Sequence, residues 1–225
     1  MKKSKFIIFT VIMICIMSMV SNVMAMMPGD PFNELGQGET TKNVPWSYAS
    51  SWAEEELNKA KDNNLVPIIF NGADLTADIT RLEFAHVAVV LYEKITGAPA
   101  KIDGEIVNPF TDTADGVVVV AYNLGITNGT SDTTFTPDAL ITREQMATMM
   151  TRALNKAGIN TNSDGIKAKF NDHNDISEYA IESVYFMSTN DIIKGVGDNT
   201  FNSKGNATRE QALLVSERSA EKFAK

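Results

Sequence analysis

Cysteine, histidine and basic residues are scarce in this sequence. The 225 residues include one Cys and two His, and 20 Lys and Arg stand against 28 Asp and Glu, for a formal net charge of −8. The one cysteine, Cys15, lies in an apolar N-terminal run, so a chain without that run has no thiol for a disulfide or a nucleophile. An acidic chain also lacks the basic face that general binding to nucleic acid or to an anionic membrane needs.

Catalytic and metal-binding motifs are absent from the sequence as well. It contains no G-x-S-x-G motif and no zinc motif. A glycosidase needs two carboxylates that flank a cleft, and no pair of acids is marked for that role. The segment Asp172–Asp175, which includes His173, lacks ligand spacing, and the loops around Asp132 and Asp198 do not match the EF-hand pattern. We therefore predict a protein that is not an enzyme and that needs no metal or cofactor.

The N-terminus has the pattern of a secretory signal peptide. A start with three lysines is followed by an apolar run of 15 residues, Phe6 to Val20, and then by small residues that favour cleavage after Ala25. The run is shorter than the ~20 residues of a membrane-spanning helix, so a signal peptide is favoured over an anchor. We expect an exported protein with no membrane association after cleavage. Loss of residues 1–25, with three Lys and no acid, would change the net charge from −8 to −11.

One helix-start pattern occurs three times along the chain. A Thr is followed directly by Arg, and three positions after the Thr stands a Glu or Gln, which is the capping box of a helix N-terminus. The three patterns begin at Thr80, Thr142 and Thr208, which are 62 and 66 residues apart. This near-equal spacing predicts an internal repeat.

The repeat predicts the organisation of the whole chain. We expect a signal peptide at 1–25, a flexible lead-in at 26–43, repeats at 44–97, 110–158 and 170–225, and linkers at 98–109 and 159–169. Each repeat is read as a helix, an irregular loop and a capped helix. One such pair of helices cannot bury its apolar face alone, whereas three pairs can close around a shared axis. The predicted fold is therefore all-α, with three helix–loop–helix repeats.

The first helix of each repeat is less clearly marked than the second. Ser51 to Glu54 has the S-x-x-E pattern of a helix start, with Trp52 near the helical spacing of the apolar residues, and Ser177 is predicted to begin the corresponding helix of the third repeat. Gly116 to Leu124 contains four consecutive valines, which alone would favour a strand. We predict a buried helix there because the other repeats place a helix at that position.

Three further motifs recur between the second and third repeats. Phe110-Thr111-Asp112 matches Phe170-Asn171-Asp172, the segment Gly125–Gly129 matches Asp191–Gly195, and Ser131–Phe135 matches Gly197–Phe201. Together with the Thr-Arg-Glu starts, these motifs resemble the S-layer homology domain, and the resemblance extends over about residues 44–225. The first repeat departs from the pattern, since Pro67-Ile68 stands where the loop glycine belongs. The second repeat lacks the aromatic residue and is six residues shorter between its Phe and Ile.

The resemblance implies a fold, a ligand and a set of contact residues. Such domains are three-pronged, pseudo-threefold helical modules that attach exported proteins to the cell wall by binding secondary cell-wall polysaccharide, often pyruvylated. Peptidoglycan or a partner protein at the surface are the other partners we consider. The grooves lie between repeats and use the Arg of the capped helix, the aromatic of the first helix and the loop glycine. The implied ligand-binding residues are Trp52, Arg81, Gly129, Arg143, Tyr179, Gly195 and Arg209.

The chemistry of these residues suits an acidic sugar, although each has a plainer interpretation. A guanidinium at a helix N-terminus would add to free N–H groups and a partial positive charge, and an aromatic face can stack on a pyranose. The arginines could instead pair with nearby acids (Glu83, Glu144 and Glu210), Trp52 could be a core anchor, and the glycines could serve only turns. The alternative function is a structural or assembly component of the cell surface that acts through protein–protein contacts.

Overall fold

The computed structural model of the protein describes residues 45–163 and 170–224. The predicted signal peptide at 1–25, the lead-in at 26–43 and residues 164–169 of the second linker lie outside the described residues. Within the described ranges, no helix is both long enough and apolar enough to cross a membrane.

The regular secondary structure of the described residues consists of helices. Its six α-helices are α1 (Glu54–Asp62), α2 (Arg81–Thr96), α3 (Gly116–Asn123), α4 (Arg143–Lys156), α5 (Ile181–Thr189) and α6 (Arg209–Phe223). Short 3₁₀ turns occupy Ile68–Phe70, His173–Asp175 and Glu178–Ala180. Extended pairing in residues 45–163 and 170–224 is limited to isolated bridges. The all-α class predicted from the sequence is thus confirmed.

The run of four valines lies in α3 and not in a strand. Asp115 caps this helix by accepting a hydrogen bond from Val118 N at 3.0 Å, and all four valines are buried. Burial on every side removes the alternation of exposed and buried positions that a half-exposed strand would show, so packing overrides the strand propensity of valine.

The predicted serine starts lie a few residues before the first α-helices, and neither serine caps its helix through the side chain. Ser177 is at the N-cap of the 3₁₀ turn Glu178–Ala180, which leads into α5. The residues at the N-cap positions of α1 and α5 are Ala53 and Ala180, and neither makes a side-chain capping bond. The nearby serines have other partners, because Ser50 and Ser177 donate from backbone and hydroxyl groups to Glu210 and Glu144. The carboxylate that follows the Arg of a capped helix therefore fixes the start of a first helix elsewhere in the chain.

Capping boxes define the starts of α2, α4 and α6. Thr80 Oγ1 accepts from Glu83 N at 3.2 Å while Glu83 Oε2 accepts from Thr80 N at 2.9 Å. The same reciprocal pair of bonds joins Thr142 with Gln145 and Thr208 with Gln211. Each box satisfies two backbone donors at a helix end, which gives the three helices the same entry geometry.

We call the three predicted repeats segments, so that α1 and α2, α3 and α4, and α5 and α6 share a segment. The most extensive helix contacts join helices of different segments. The first helices α3 and α5 lie on the preceding second helices α2 and α4, and α1 lies on α6. Helix α2 also contacts both α4 and α6. The contact of α1 with α6 joins the first and last helices of the described residues, so the three segments form a closed arrangement.

A ring of three backbone hydrogen bonds marks the pseudo-threefold axis. Ile79 N donates to Ala207 O at 2.9 Å, Ala207 N donates to Ile141 O at 3.2 Å, and Ile141 N donates to Ile79 O at 3.1 Å. Each residue directly precedes the Thr of a capping box, and all three are fully buried. Since the ring satisfies buried donors from every segment, it fixes the relative positions of the three capped helix starts.

Candidate ligand-binding grooves

The N-termini of the capped helices are closed by backbone contacts. Arg81 N donates to Ala139 O at 2.8 Å, and Leu82 N donates to Pro137 O at 3.0 Å. The first two amides of α4 and α6 donate in the same way to carbonyls of another segment. The expectation that these helix ends offer free N–H groups to a ligand is therefore wrong. The donors that remain at these positions are those of the arginine side chains.

Arg81 and Arg143 are held in matching positions on buried phenylalanines. The Cζ atom of each lies 5.0 Å from a ring centroid, that of Phe135 for Arg81 and that of Phe201 for Arg143. Each Nε donates at 2.9 Å to the carbonyl oxygen of the same phenylalanine. The arginines are only 5% and 6% exposed. Ring and carbonyl together fix the guanidinium plane, which orients its outer nitrogen atoms before any ligand binds.

The two guanidinium groups keep their charge and most of their donors. Burial lowers the pKa of both groups from its ordinary value, but arginine stays protonated at neutral pH. Among the described residues, no carboxylate forms an ion pair with either one. In residues 45–163 and 170–224, Arg81 donates only from Nε, and Arg143 donates from Nε and Nη2, the latter to Lys194 O at 2.8 Å. The remaining N–H donors are available to an anion.

Two aspartates position the loops that carry the phenylalanines. Asp112 accepts from Phe135 N at 2.9 Å and from Thr136 N at 2.7 Å. Asp172 accepts from Phe201 N at 2.8 Å and from Asn202 N at 2.7 Å. The N–H of Phe135 is the main cause that lowers the pKa of Asp112. For Asp172, burial opposes ionisation but the two N–H groups outweigh it, and its pKa is also lowered.

These aspartates were not among the predicted site residues, although the recurring F-x-D motif contains them. Because each one fixes the backbone that supports an arginine, their role is to position the site. The repetition of the motif was the sign in the sequence that could have identified them.

Each arginine lines an open groove together with a glycine and an aromatic residue. Groove A has a volume of about 430 Å³ and contains Arg81, Gly129 and Tyr179. Groove B has a volume of about 380 Å³ and contains Arg143, Gly195 and Trp52. Both volumes fall within the ~300–1,000 Å³ of small-molecule sites. The structure thus brings six of the seven predicted ligand-binding residues together, three in each groove.

The two grooves are built from equivalent positions. Each combines an Arg from one segment, a loop and second helix from the next, and an aromatic from the one after that. The loop and helix positions differ by 66 residues, as in Gly129 and Gly195, or Gln145 and Gln211. Because every groove needs all three segments, no segment carries a complete site alone.

Tyr179 and Trp52 project from the positions just before α5 and α1. They are 55% and 61% exposed, which excludes the interpretation of Trp52 as a core anchor. Each lies two residues after a serine, Ser177 or Ser50, whose backbone and hydroxyl groups donate to a glutamate. Tyr179 is fixed further, because its hydroxyl donates to Glu144 Oε1 at 3.0 Å. Burial and the Glu144 carboxylate raise the pKa of Tyr179 to about 12, so its ring stays neutral.

The loop glycines are required by close packing. Gly129 has φ +79°, and a Cβ there would lie 2.6 Å from the Phe110 ring and from Thr134 O. A Cβ on Gly195 would lie 2.6 Å from Thr200 O. The interpretation of these residues as turn glycines therefore holds. The N–H groups of Lys194 and Gly195 have no acceptor within the described chain.

The third equivalent position lacks the features of the other two. Arg209 donates from Nε and Nη2 to Glu83 Oε1 at 3.0 and 2.7 Å, and from Nη1 to Asp74 O. The N–H of Leu65 bonds the end of α1 as the N–H of Ile126 bonds the end of α3. Ile68, three residues after Leu65, therefore occupies the position that glycine has in the grooves. The aromatic is missing from the shorter second segment. The ion pair with Glu83 already neutralises the charge of Arg209.

The two histidines have ordinary partners. His86 Nε2 lies 3.2 Å from Asp115 Oδ2, and His173 Nδ1 lies 3.0 Å from the hydroxyl of Tyr185. Across residues 45–163 and 170–224, no three His, Cys, Asp or Glu side chains gather as metal ligands.

Glu144 is the most heavily bonded carboxylate near the grooves. It is 4% exposed and accepts from Lys204 Nζ, Ser177 N, Ser177 Oγ and Tyr179 OH. Burial raises its pKa, but these donors outweigh burial and bring the pKa below the ordinary value of 4.5. This carboxylate therefore stabilises the fold above about pH 4.5, and the contribution declines as pH falls further.

Replacement of Glu144 by Gln is expected to destabilise the protein by about 1–3 kcal/mol at pH 7. The difference from wild type should shrink as pH falls below about 4.5, because the wild-type carboxylate then becomes protonated. Urea unfolding at pH 7, 5, 4 and 3 measures this difference. Glu55→Gln, at an exposed surface position, serves as the control. A difference that stays constant from pH 7 to pH 3 would contradict the assignment.

Comparison with known proteins shows that two segments of this chain match a described family. The family model of the S-layer homology domain matches residues 109–147 and 169–213. The chain is also 34% identical over 98 residues to an endoglucanase of Bacillus sp. (strain KSM-635), a match that covers 44% of this chain and 10% of the endoglucanase. The chain thus spans about a tenth of that relative. The two segments that carry the loops of grooves A and B match the S-layer homology domain.

Proposed function

We propose that this protein is a non-catalytic wall-binding module that attaches to secondary cell-wall polysaccharide through grooves A and B. The observation that carries the proposal is that each groove combines a buried guanidinium, which has no direct ion pair among the described residues, with an exposed aromatic ring. An acidic sugar fits this pairing, because its carboxylate can accept from the guanidinium while its ring stacks on the aromatic. A pyruvate ketal is one such carboxylate on a sugar.

The net negative charge of the chain is compatible with an anionic ligand. At physiological salt the Debye length is about 8 Å, so surface acids farther away are largely screened. Asp112 and Asp172 interact electrostatically with Arg81 and Arg143, but their carboxylates accept from backbone N–H groups of the supporting loops. Glu144 behind Tyr179 is paired with Lys204. We expect moderate affinity for each groove. The two grooves raise the apparent affinity when they bind one polymer, because the second contact becomes intramolecular.

The similarity to known proteins supports an anchoring role. The matched family indicates attachment to the cell wall or cell surface. The endoglucanase shares only about a tenth of its length with this chain, which suits a module added to an enzyme and not the enzyme itself. On this proposal the three segments are three S-layer homology repeats, the first divergent, in a protein exported to a Gram-positive type of cell wall.

The second candidate function is a structural or assembly component of the surface. The feature that favours it is the number of exposed apolar residues, among them Tyr48, Val107 and Leu140 outside the grooves. A scaffold of this kind would bind another protein whether or not wall polymer is present.

Cosedimentation with purified Gram-positive cell walls tests the proposal. Residues 26–225 are incubated with walls before and after hydrofluoric acid extraction of the secondary polymer. Loss of binding after extraction is the expected result. Retained binding to extracted walls would point to peptidoglycan, and no binding to either preparation would overturn the anchor and favour the scaffold.

Replacement of the groove aromatics is expected to weaken wall binding without unfolding the protein. We expect Trp52→Ala and Tyr179→Ala each to lower the affinity of one groove by about 5- to 10-fold, through loss of stacking worth about 1–1.5 kcal/mol. The control is Tyr48→Ala, since Tyr48 is 62% exposed but lines neither groove. Equal losses in all three variants would assign the binding to general surface contacts.

A further inference from the structure

Grooves A and B differ in their second arginine. Arg152 of groove A and Arg218 of groove B occupy equivalent positions on α4 and α6. Arg218 is neutralised by Glu56, with Nε to Oε2 at 2.6 Å and Nη2 to Oε1 at 2.8 Å. Within the described residues Arg152 has no ion pair and no side-chain hydrogen bond. Groove A therefore presents two free guanidinium groups, whereas groove B presents one.

The residues that line the two grooves differ in polarity as well as in charge. Three positions that carry threonine in groove A carry aliphatic residues in groove B. The pairs are Thr127 with Ile193, Thr130 with Val196, and Thr148 with Leu214. The pairs of Thr127 with Ile193 and Thr148 with Leu214 are nearly buried, whereas Thr130 and Val196 are exposed. The difference in surface polarity between the grooves is therefore carried mainly by Thr130 in groove A and Val196 in groove B. The arrangement predicts ligands of different polarity at the two sites.

Lys194 does not restore the missing charge in groove B. It is exposed at the rim, where groove B meets a neighbouring cavity that also contains Trp52 and the acids Glu55, Glu56, Glu217 and Glu221. Of these acids, Glu55 pairs with Lys59 and Glu56 with Arg218. The flexible ammonium of Lys194 lacks the fixed fork of a guanidinium. The charge fixed within groove B is consequently that of Arg143.

We propose that groove A recognises a sugar unit with two acidic groups, and groove B a singly acidic unit with an apolar substituent. In groove A, Arg81 takes one acidic group and Arg152 takes the second. In groove B, Arg143 takes the acidic group, and the exposed Val196 contacts a methyl or acetyl group. This inference rests on the proposed function. It adds that the two grooves read different features of the polymer, so a polymer that carries both is bound best.

The test uses two defined sugars and an amide signal in each groove. The first probe is the methyl glycoside of a 4,6-pyruvate-ketal N-acetylhexosamine, which carries one negative charge. The second is the same glycoside with a sulfate at O3, which carries two. Each is titrated into ¹⁵N-labelled protein, with Gly129 N–H reporting groove A and Gly195 N–H reporting groove B. We expect groove A to bind the sulfated sugar about tenfold more tightly than the unsulfated one, and groove B to show no such preference.

Two substitutions test the residues assigned to this difference. Arg152→Gln should remove the preference of groove A for the sulfated sugar and leave groove B unchanged. Glu56→Gln should release Arg218 and give groove B a preference for the sulfated sugar. In each variant the unaltered groove is the internal control for folding.

The outcomes separate this inference from the proposed function. Equal preferences in both wild-type grooves, or an unchanged preference in Arg152→Gln, would overturn the inference while leaving the wall-binding proposal intact. Failure of both probes to shift either glycine signal would overturn the inference and count against carbohydrate binding itself.

Discussion

The double variant Arg81→Gln, Arg143→Gln is expected to lose at least about 100-fold of its affinity for cell walls. Each substitution removes a charge-assisted hydrogen bond worth about 1.5–3 kcal/mol, and the losses combine when two grooves hold one polymer. Glutamine is the suitable replacement because its amide can still donate to the carbonyl of Phe135 or Phe201. The folded loops should therefore persist while the cation is lost. Binding isotherms on intact walls measure the change.

The chain supplies a matched control for this variant in Arg209→Gln. Arg209 occupies the same position on α6, but Glu83 already neutralises it. We expect wall affinity to stay within about twofold of wild type. Stability should fall by about 1–3 kcal/mol, since Glu83 is left unpaired. If Arg209→Gln weakened binding as much as the double variant, the third position would also be a working groove, and its ion pair would open on binding.

The sequence identified the elements that depend on local chemistry. The Thr-Arg-Glu-Gln pattern marks the start of α4 because the Thr and Gln side chains bond amides within the same turn. Gly97 ends α2 with φ 68°, a conformation that glycine adopts without strain. Such features need only neighbouring residues, so they can be read along the chain. The aromatic, arginine and glycine of each groove could be named because the motifs of the sequence resemble those of the S-layer homology domain.

Features that depend on contacts between segments could not be read in this way. The acid next to Arg143 was considered as its ion-pair partner, but Glu144 bonds Ser177 and Tyr179 instead, 33 and 35 residues away. The sequence suggests that the first backbone amides of the capped helices have no acceptor, but carbonyls of another segment accept hydrogen bonds from them. Arg209 and Glu83 are 126 residues apart. Only the closed arrangement of the three segments reveals these partners.

Several departures from the repeat pattern coincide around Arg209, at the position equivalent to grooves A and B. The second segment lacks the stretch that carries serine and the aromatic in the other two. Leu82 stands where Glu144 and Glu210 bind those serines, so the carboxylate is absent where its partner is absent. Ile68 replaces the loop glycine, and Arg209 is paired with Glu83. We infer that this position contributes to closure of the fold, while grooves A and B contact the ligand.

Phe201→Ala is expected to destabilise the protein by about 3–5 kcal/mol, the usual cost of truncating a buried phenylalanine. Phe201 is fully buried, its ring centroid lies 5.3 Å from that of Phe170, and Arg143 lies over its face. The substitution leaves a cavity and removes the support of the guanidinium, so groove B should weaken as well. Urea unfolding followed by circular dichroism measures the first effect, and the Gly195 amide titration measures the second.

Trp52→Ala is the matched control for Phe201→Ala, because it removes a larger aromatic from the same groove at a position that is 61% exposed. Its cost in unfolding free energy should be below about 0.5 kcal/mol, as for other surface positions, although it too weakens binding. The two variants therefore separate the support of the groove from its contact surface. A loss of stability in Trp52→Ala as large as that in Phe201→Ala would mean that the aromatic packs against the fold. It would then not be available to a ligand.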